Sequence, residues 1–165
     1  MPRPSNAVDT SSLAEAKYQG FLYGSGGPAS GSQSGSGFSL IGSFGYDNLQ
    51  ESCPTLPAPK TSTTLYGGEF GNGKSINNDP SSHAFGNCDL AIDLGAQDTS
   101  NNGLYPAATV HVTSAFPKNG IAKTYSFPAV AIAGQISGKY AIFLIGADTV
   151  GSPSQGWGIY LLQTN

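Results

Sequence analysis

The segment YSFPAVAIAGQISGKYAIFLIGAD, residues 125–148, decides the fold. Its two apolar runs, 125–135 and 139–148, flank Ile136-Ser137-Gly138, a connection so short that the runs must pair as a β-hairpin. Gly138 supplies the positive backbone angle that such a turn requires. The spacing inside the second run adds a further inference. A strand with one wet face alternates apolar and polar residues. Here Tyr140, Ile142 and Leu144 share one face while Ala141, Phe143 and Ile145 share the other. GWGIYLLQ (156–163) repeats this, with Trp157, Ile159 and Leu161 opposite Tyr160 and Leu162. Both faces are apolar, so both call for cover. On the second face that cover is expected from long loops, the N-terminal arm or another subunit.

Working outward, KYQGFLYG (17–24), FSLIGSF (38–44), TSTTLYGGEF (61–70), CDLAIDL (88–94) and AATVHVTSAF (107–116) also read as strands, rich in β-branched and aromatic residues. Between them lie a Gly/Ser-rich loop at 24–37, a stretch carrying Pro54, Pro57 and Pro59, and the polar turn GAQDTSNNGLYP. The expectation is an all-β chain: one antiparallel sandwich or barrel of about eight strands, a closed meander included. Residues 1–16 read as an N-terminal arm or linker ahead of an all-β domain at 17–165. SLAE (12–15) matches a capping box, with Ser12 as N-cap and Glu15 reaching back.

Composition excludes several function classes. Charged residues are 10% of the 165, against roughly 25% in an average soluble chain. The net charge is −3 and the seven cations are scattered singly, so nucleic acid and polybasic membrane attraction are both excluded. No run reaches the roughly 18 apolar residues of a membrane span. MPRPSNAVDT carries no apolar signal-peptide core. Few Lys and Glu with much Ser, Gly, Thr and Asn nevertheless predict a protein outside the cytoplasm. Cys53 and Cys88 fit that compartment as a disulfide, closing a loop of about 36 residues worth on the order of 3–4 kcal/mol. Two buried thiols, or one catalytic thiol, are the alternatives.

The acidic stretch GNCDLAIDLGAQDTSNNG (86–103) concentrates the candidate chemistry. As a carboxylate pair, Asp89 and Asp93 would sit about 13 Å apart along a strand. That exceeds the roughly 5–9.5 Å glycosidases use. A hydrolase would need Asp93 to meet Glu69 or His111 from another strand. As a metal loop, Asp98, Ser100 and Asn102 fall at alternate positions, a spacing that suits calcium. The competing reading is an Asx-turn cluster, in which the side chains bond their own backbone. No GxSxG or phosphate loop is present. Trp157, Tyr160, Tyr140, Tyr105 and Tyr66 could form an aromatic platform for sugar rings, or else line the core and rim of a barrel.

DLAIDLGAQDTSNNGLYPAATV, followed by YSFPAVAIAGQISGKYAIFLIGAD and GIYLLQ, is similar to modules of uncharacterised secreted or surface-anchored bacterial proteins, over roughly residues 60–163. The resemblance implies an extracellular location and brings no catalytic residue with it. The leading expectation is therefore a non-catalytic, extracellular or cell-surface binding module for a neutral ligand such as a polysaccharide. Trp157, Tyr105, Tyr160, Asp98 and Asn102 would make the contacts, with no cofactor unless calcium fills the 98–102 turn. The alternatives are a structural subunit of a surface assembly, a homo-oligomer through the outer face of strands 139–148 and 156–163, and the Asp93 hydrolase.

Overall fold

The computed structural model describes residues 8–24, 42–46, 63–71, 90–113, 124–148 and 155–164. They form an eight-stranded antiparallel β-barrel in which each strand pairs with its neighbours in sequence and the last closes on the first. The strands are β1 (Tyr18–Gly24), β2 (Gly42–Tyr46), β3 (Thr64–Gly71), β4 (Leu90–Asp93), β5 (Leu104–Thr113), β6 (Thr124–Ile136), β7 (Lys139–Asp148) and β8 (Gln155–Gln163). Of the two architectures open to the sequence, the barrel is the one formed. Closure gives every strand a neighbour on each side.

The β6–β7 hairpin turns on Ser137 (φ 51°) and Gly138 (φ 79°), with Ile136 paired to Lys139. Two consecutive positive φ angles give the turn the right-handed twist of its strands. β5 begins earlier than its sequence suggests, at Leu104. Pro106 and Ala107 then form a bulge between the pairs Tyr105–Ala131 and Ala108–Ala129. A proline that cannot donate to the ladder is tolerated at such a bulge.

Leu65, Ile92, Val110, Ile142, Leu144, Ile159 and Leu161 point inward and are buried. The fully buried side chains of β6 are Ala129, Ala131 and Ala133, small enough to leave room for Tyr18, Tyr105 and Trp157, with Phe127 packed part-buried beside them. The interior is thus a packed apolar core, the reverse of the polar lumen of membrane-spanning barrels. Among the described residues no helix is long and apolar enough to cross a membrane.

One end of the barrel is closed by α1 (Thr10–Glu15). Asp9, not Ser12, is its N-cap: the carboxylate accepts from the Ser11 backbone N–H at 3.1 Å and from Ser12 Oγ at 2.6 Å. Those bonds hold the Asp9 carboxyl below its ordinary pKa. Leu13 and Ala14 enter the core, and Tyr18 Oη donates to the Leu13 carbonyl at 2.8 Å. Residues 10–15, within the segment read as an arm or linker, therefore pack as a plug. Burying the Leu13 side chain stabilises the fold by about 2 kcal/mol. Cys53, Cys88 and Asp89 lie outside the described residues.

Candidate functional site: an apolar face on the barrel wall

The residues expected to bind ligand do not converge. Trp157 is 3% exposed and Tyr105 0%, both inside the barrel. Tyr105 sits at the end closed by α1, sharing a 2.9 Å hydrogen bond with Thr10 Oγ1. Trp157 pairs with Gly146 and Gly24, at the far ends of β7 and β1. Tyr140 is partly buried against the core. No platform joins these rings.

The 98–103 loop is an Asx turn. Asp98 Oδ1 accepts from the backbone N–H of Ser100 (2.7 Å) and of Asn101 (2.8 Å), and from Asn101 Nδ2. The Asp98 N–H donates to the Leu104 carbonyl, and Gly103 takes a φ of 79°. Ser100 and Asn102 belong to the same turn. Its donors converge on the carboxylate where a calcium ligand set would need oxygens to converge on a cation. Among the described residues no cluster of three His, Cys, Asp or Glu side chains is placed to hold a metal ion.

Of the expected aromatics whose side chains are described, Tyr160 alone is exposed. It lies between its two cross-strand partners, with ring centroids 4.8 Å from Phe21 and 4.4 Å from Phe143, both stacked. The partners come from β1 and β7, on opposite sides of β8, so both faces of the Tyr160 ring are covered. It presents an edge to solvent, whereas a sugar ring stacks on an open aromatic face.

What the wall does offer is an apolar face over β1, β8, β7 and β6. The pairing aligns Tyr23, Gly158, Ile145 and Val130 in one row. Phe21, Tyr160, Phe143 and Ile132 form the next, and Gln19, Leu162, Ala141 and Gly134 the third. The middle row is large throughout and makes a ridge. The third row, floored by Ala141 and bounded by Ile136 and Leu162, makes a groove of about 480 Å³. Eight large apolar side chains here and at the margin are between 36% and 62% exposed. Both-face apolarity in 140–145 and 157–162 was the sequence signal for this surface, although sequence could not say which face turned outward.

The opposite wall carries the titratable groups. Asp93 pairs with Thr109 and His111 with Ala91, so the two are diagonal neighbours on the outside of β4 and β5. Asp93 Oδ1 accepts from Thr63 Oγ1 (2.6 Å) and from the Gly95 N–H (3.1 Å). His111 Nδ1 lies 2.8 Å from Ser126 Oγ, a partner that sequence did not suggest because it arrives through the β5–β6 register. Burial lowers the His111 pKa, partly offset by the Asp93 charge, so the imidazole is neutral at pH 7. A hydroxyl, a neutral imidazole and a carboxylate are thus near one another. Strands, however, lay their N–H groups in the plane of the sheet, so the described backbone around Ser126 turns no donor outward toward an oxyanion. The backbone of Glu69 lies about 17 Å along β3 from Thr64, the residue facing Asp93, and the two acids are not brought together.

Fold and site together define a meander β-barrel with a packed interior, a helical plug and one apolar outer face. No family model matches the chain, and neither the curated proteins nor the solved structures include a match.

Proposed function

We propose that the protein is a non-catalytic interaction module of the extracellular or cell-surface kind, working through the outer face of β6, β7, β8 and β1. One observation carries this reading: three aligned rows of the wall contain no charged residue and expose a contiguous apolar surface. With ~200 Å² for a large side chain, the exposed fraction amounts to on the order of 700–800 Å². That is above the roughly 300–600 Å² of the largest patch on an ordinary monomer. The low charge of the chain agrees with a neutral partner. A polysaccharide laid over aromatic faces is less well served, since Tyr160 is covered on both sides.

The test is binding of 1-anilinonaphthalene-8-sulfonate, a dye that fluoresces on apolar surface, to dilute native protein. Wild type should light the dye, and Phe143→Ser should lose most of the signal while keeping its thermal midpoint. Dye binding that ignores Phe143→Ser, or none at all, contradicts the assignment of this face.

A further inference from the structure

We infer that the occupant of this face is a second copy of the same chain, docked about a two-fold axis that crosses β7 and β8 between the ridge row and the groove row. The inference rests on the interaction-module reading above and names its partner. Rotation about an axis lying in the interface, perpendicular to the strands, lays the ridge of each copy along the groove of the other. Strand by strand, Phe143 then falls over the partner copy's Ala141, Ile132 over its Gly134, and Tyr160 over its Leu162. On β7 and β6 a large residue meets the smallest side chains of the wall, and the reverse match follows from symmetry. A self-complementary patch of this kind is what an isologous dimer requires.

Two further observations favour a copy over other occupants. The exposed apolar area, on the order of 700–800 Å², is close to the ~800 Å² per partner of a standard stable interface. The three rows also contain no charge, their polar groups being Gln19 and the hydroxyls of Tyr23 and Tyr160, and the rotation sets Lys139, in the row beyond the groove, over the partner copy's Ile145, so a like copy brings no like-charge opposition. A fluid bilayer would need the apolar area but not the alignment of large residues over small ones.

Sedimentation equilibrium of the full chain tests this, using wild type, Phe143→Ser and Ala141→Trp, each first checked for a cooperative wild-type melt. Ala141→Trp fills the groove without removing apolar surface, so it separates shape from stickiness. Wild type should be a dimer at ~100 μM, inside the range that interfaces of this area reach. Both variants should weaken it by at least about 30-fold, and dilute Ala141→Trp should still light the dye. A dimer that either variant leaves unchanged overturns the inference. So does a wild type that stays monomeric, or that co-sediments as a monomer with neutral phosphatidylcholine vesicles. In the monomeric case, dye binding that Phe143→Ser abolishes leaves the interaction-module reading standing, and absence of dye binding removes that reading as well.

Discussion

Val8 and Gln97, 89 residues apart in sequence, hold each other by two hydrogen bonds. The Val8 N–H donates to Gln97 Oε1 at 3.0 Å, and Gln97 Nε2 donates to the Val8 carbonyl at 2.7 Å. The same Oε1 also accepts from the Gly103 N–H at 2.7 Å, and Nε2 lies 3.3 Å from Tyr105 Oη. One amide therefore ties the plug, the 95–103 loop and the start of β5 together. Gln97→Ala should cost about 1–3 kcal/mol by leaving part-buried backbone groups unpaired. Urea unfolding will measure it, and an unchanged midpoint would show that α1 stays docked without the clamp.

The core tyrosines set an alkaline limit. Burial pushes the Tyr18 hydroxyl far above its ordinary pKa and raises Tyr105 as well, the Thr10 hydrogen bond opposing the latter in part. A raised folded-state pKa means that the unfolded chain ionises first. The stability these groups contribute is complete below pH about 10 and falls as pH rises beyond it. Tyr18→Phe should flatten that decline in a series of melts above pH 10.

His111 acts at the other end of the scale. Its pKa is lowered by burial, so its contribution is complete above pH about 6.5 and is lost as pH falls through the depressed value. Replacement by Gln should reduce the slope of stability against pH below 6.5. An unaltered slope would mean that the imidazole is no more desolvated in the folded chain than in the unfolded one. Ser126→Ala, which removes the hydroxyl 2.8 Å away, should leave turnover of a panel of esters and glycosides at the wild-type level, and a fall below it would contradict a purely structural contact.

Gly146 is required by the Trp157 indole. A Cβ there would run into Trp157 Cζ2 and Cε2 and stand 2.8 Å from the Pro128 carbonyl oxygen. Gly146→Ala should cost about 1–3 kcal/mol by overpacking. Trp157→Phe in the same chain should recover part of that, because it removes the clashing edge together with a buried indole N–H that has no acceptor among the described residues. Strict additivity in this double-mutant cycle would contradict the contact.

The β6–β7 turn gives a purely backbone test. A Cβ at Gly138 meets nothing within 4 Å, yet its φ is 79°. Gly138→Ala should therefore cost about 1–2 kcal/mol through the left-handed conformation alone. Ser137→Asn should stabilise, since Asn-Gly suits this turn better than Ser-Gly.

Sequence made the strands legible wherever periodicity was strong. Residues 139–148 are a strand over the same bounds, and 156–163 extends by one residue. Where both faces are apolar it does not tell inside from outside, so it gives no sign that Trp157 is core and Tyr160 surface. The helix start moved because an extended Asp9 accepts from two serines at once, a better cap than Ser12 offers. The Gln97 clamp and the Ser126–His111 contact depend on register and chain closure over many residues. No local pattern encodes either.

Residue-resolved carbene footprinting of wild type, dilute and then concentrated, bears most directly on the central claim. We expect Phe21, Phe143, Tyr160 and Leu162 to be labelled when dilute and protected together as concentration rises, while exposed positions outside the three rows, such as Ser126 beside His111 at the other end of β6, keep their labelling. Equal labelling of the apolar face at every concentration would contradict a self-docking surface. Protection confined to the opposite wall would place the interface elsewhere.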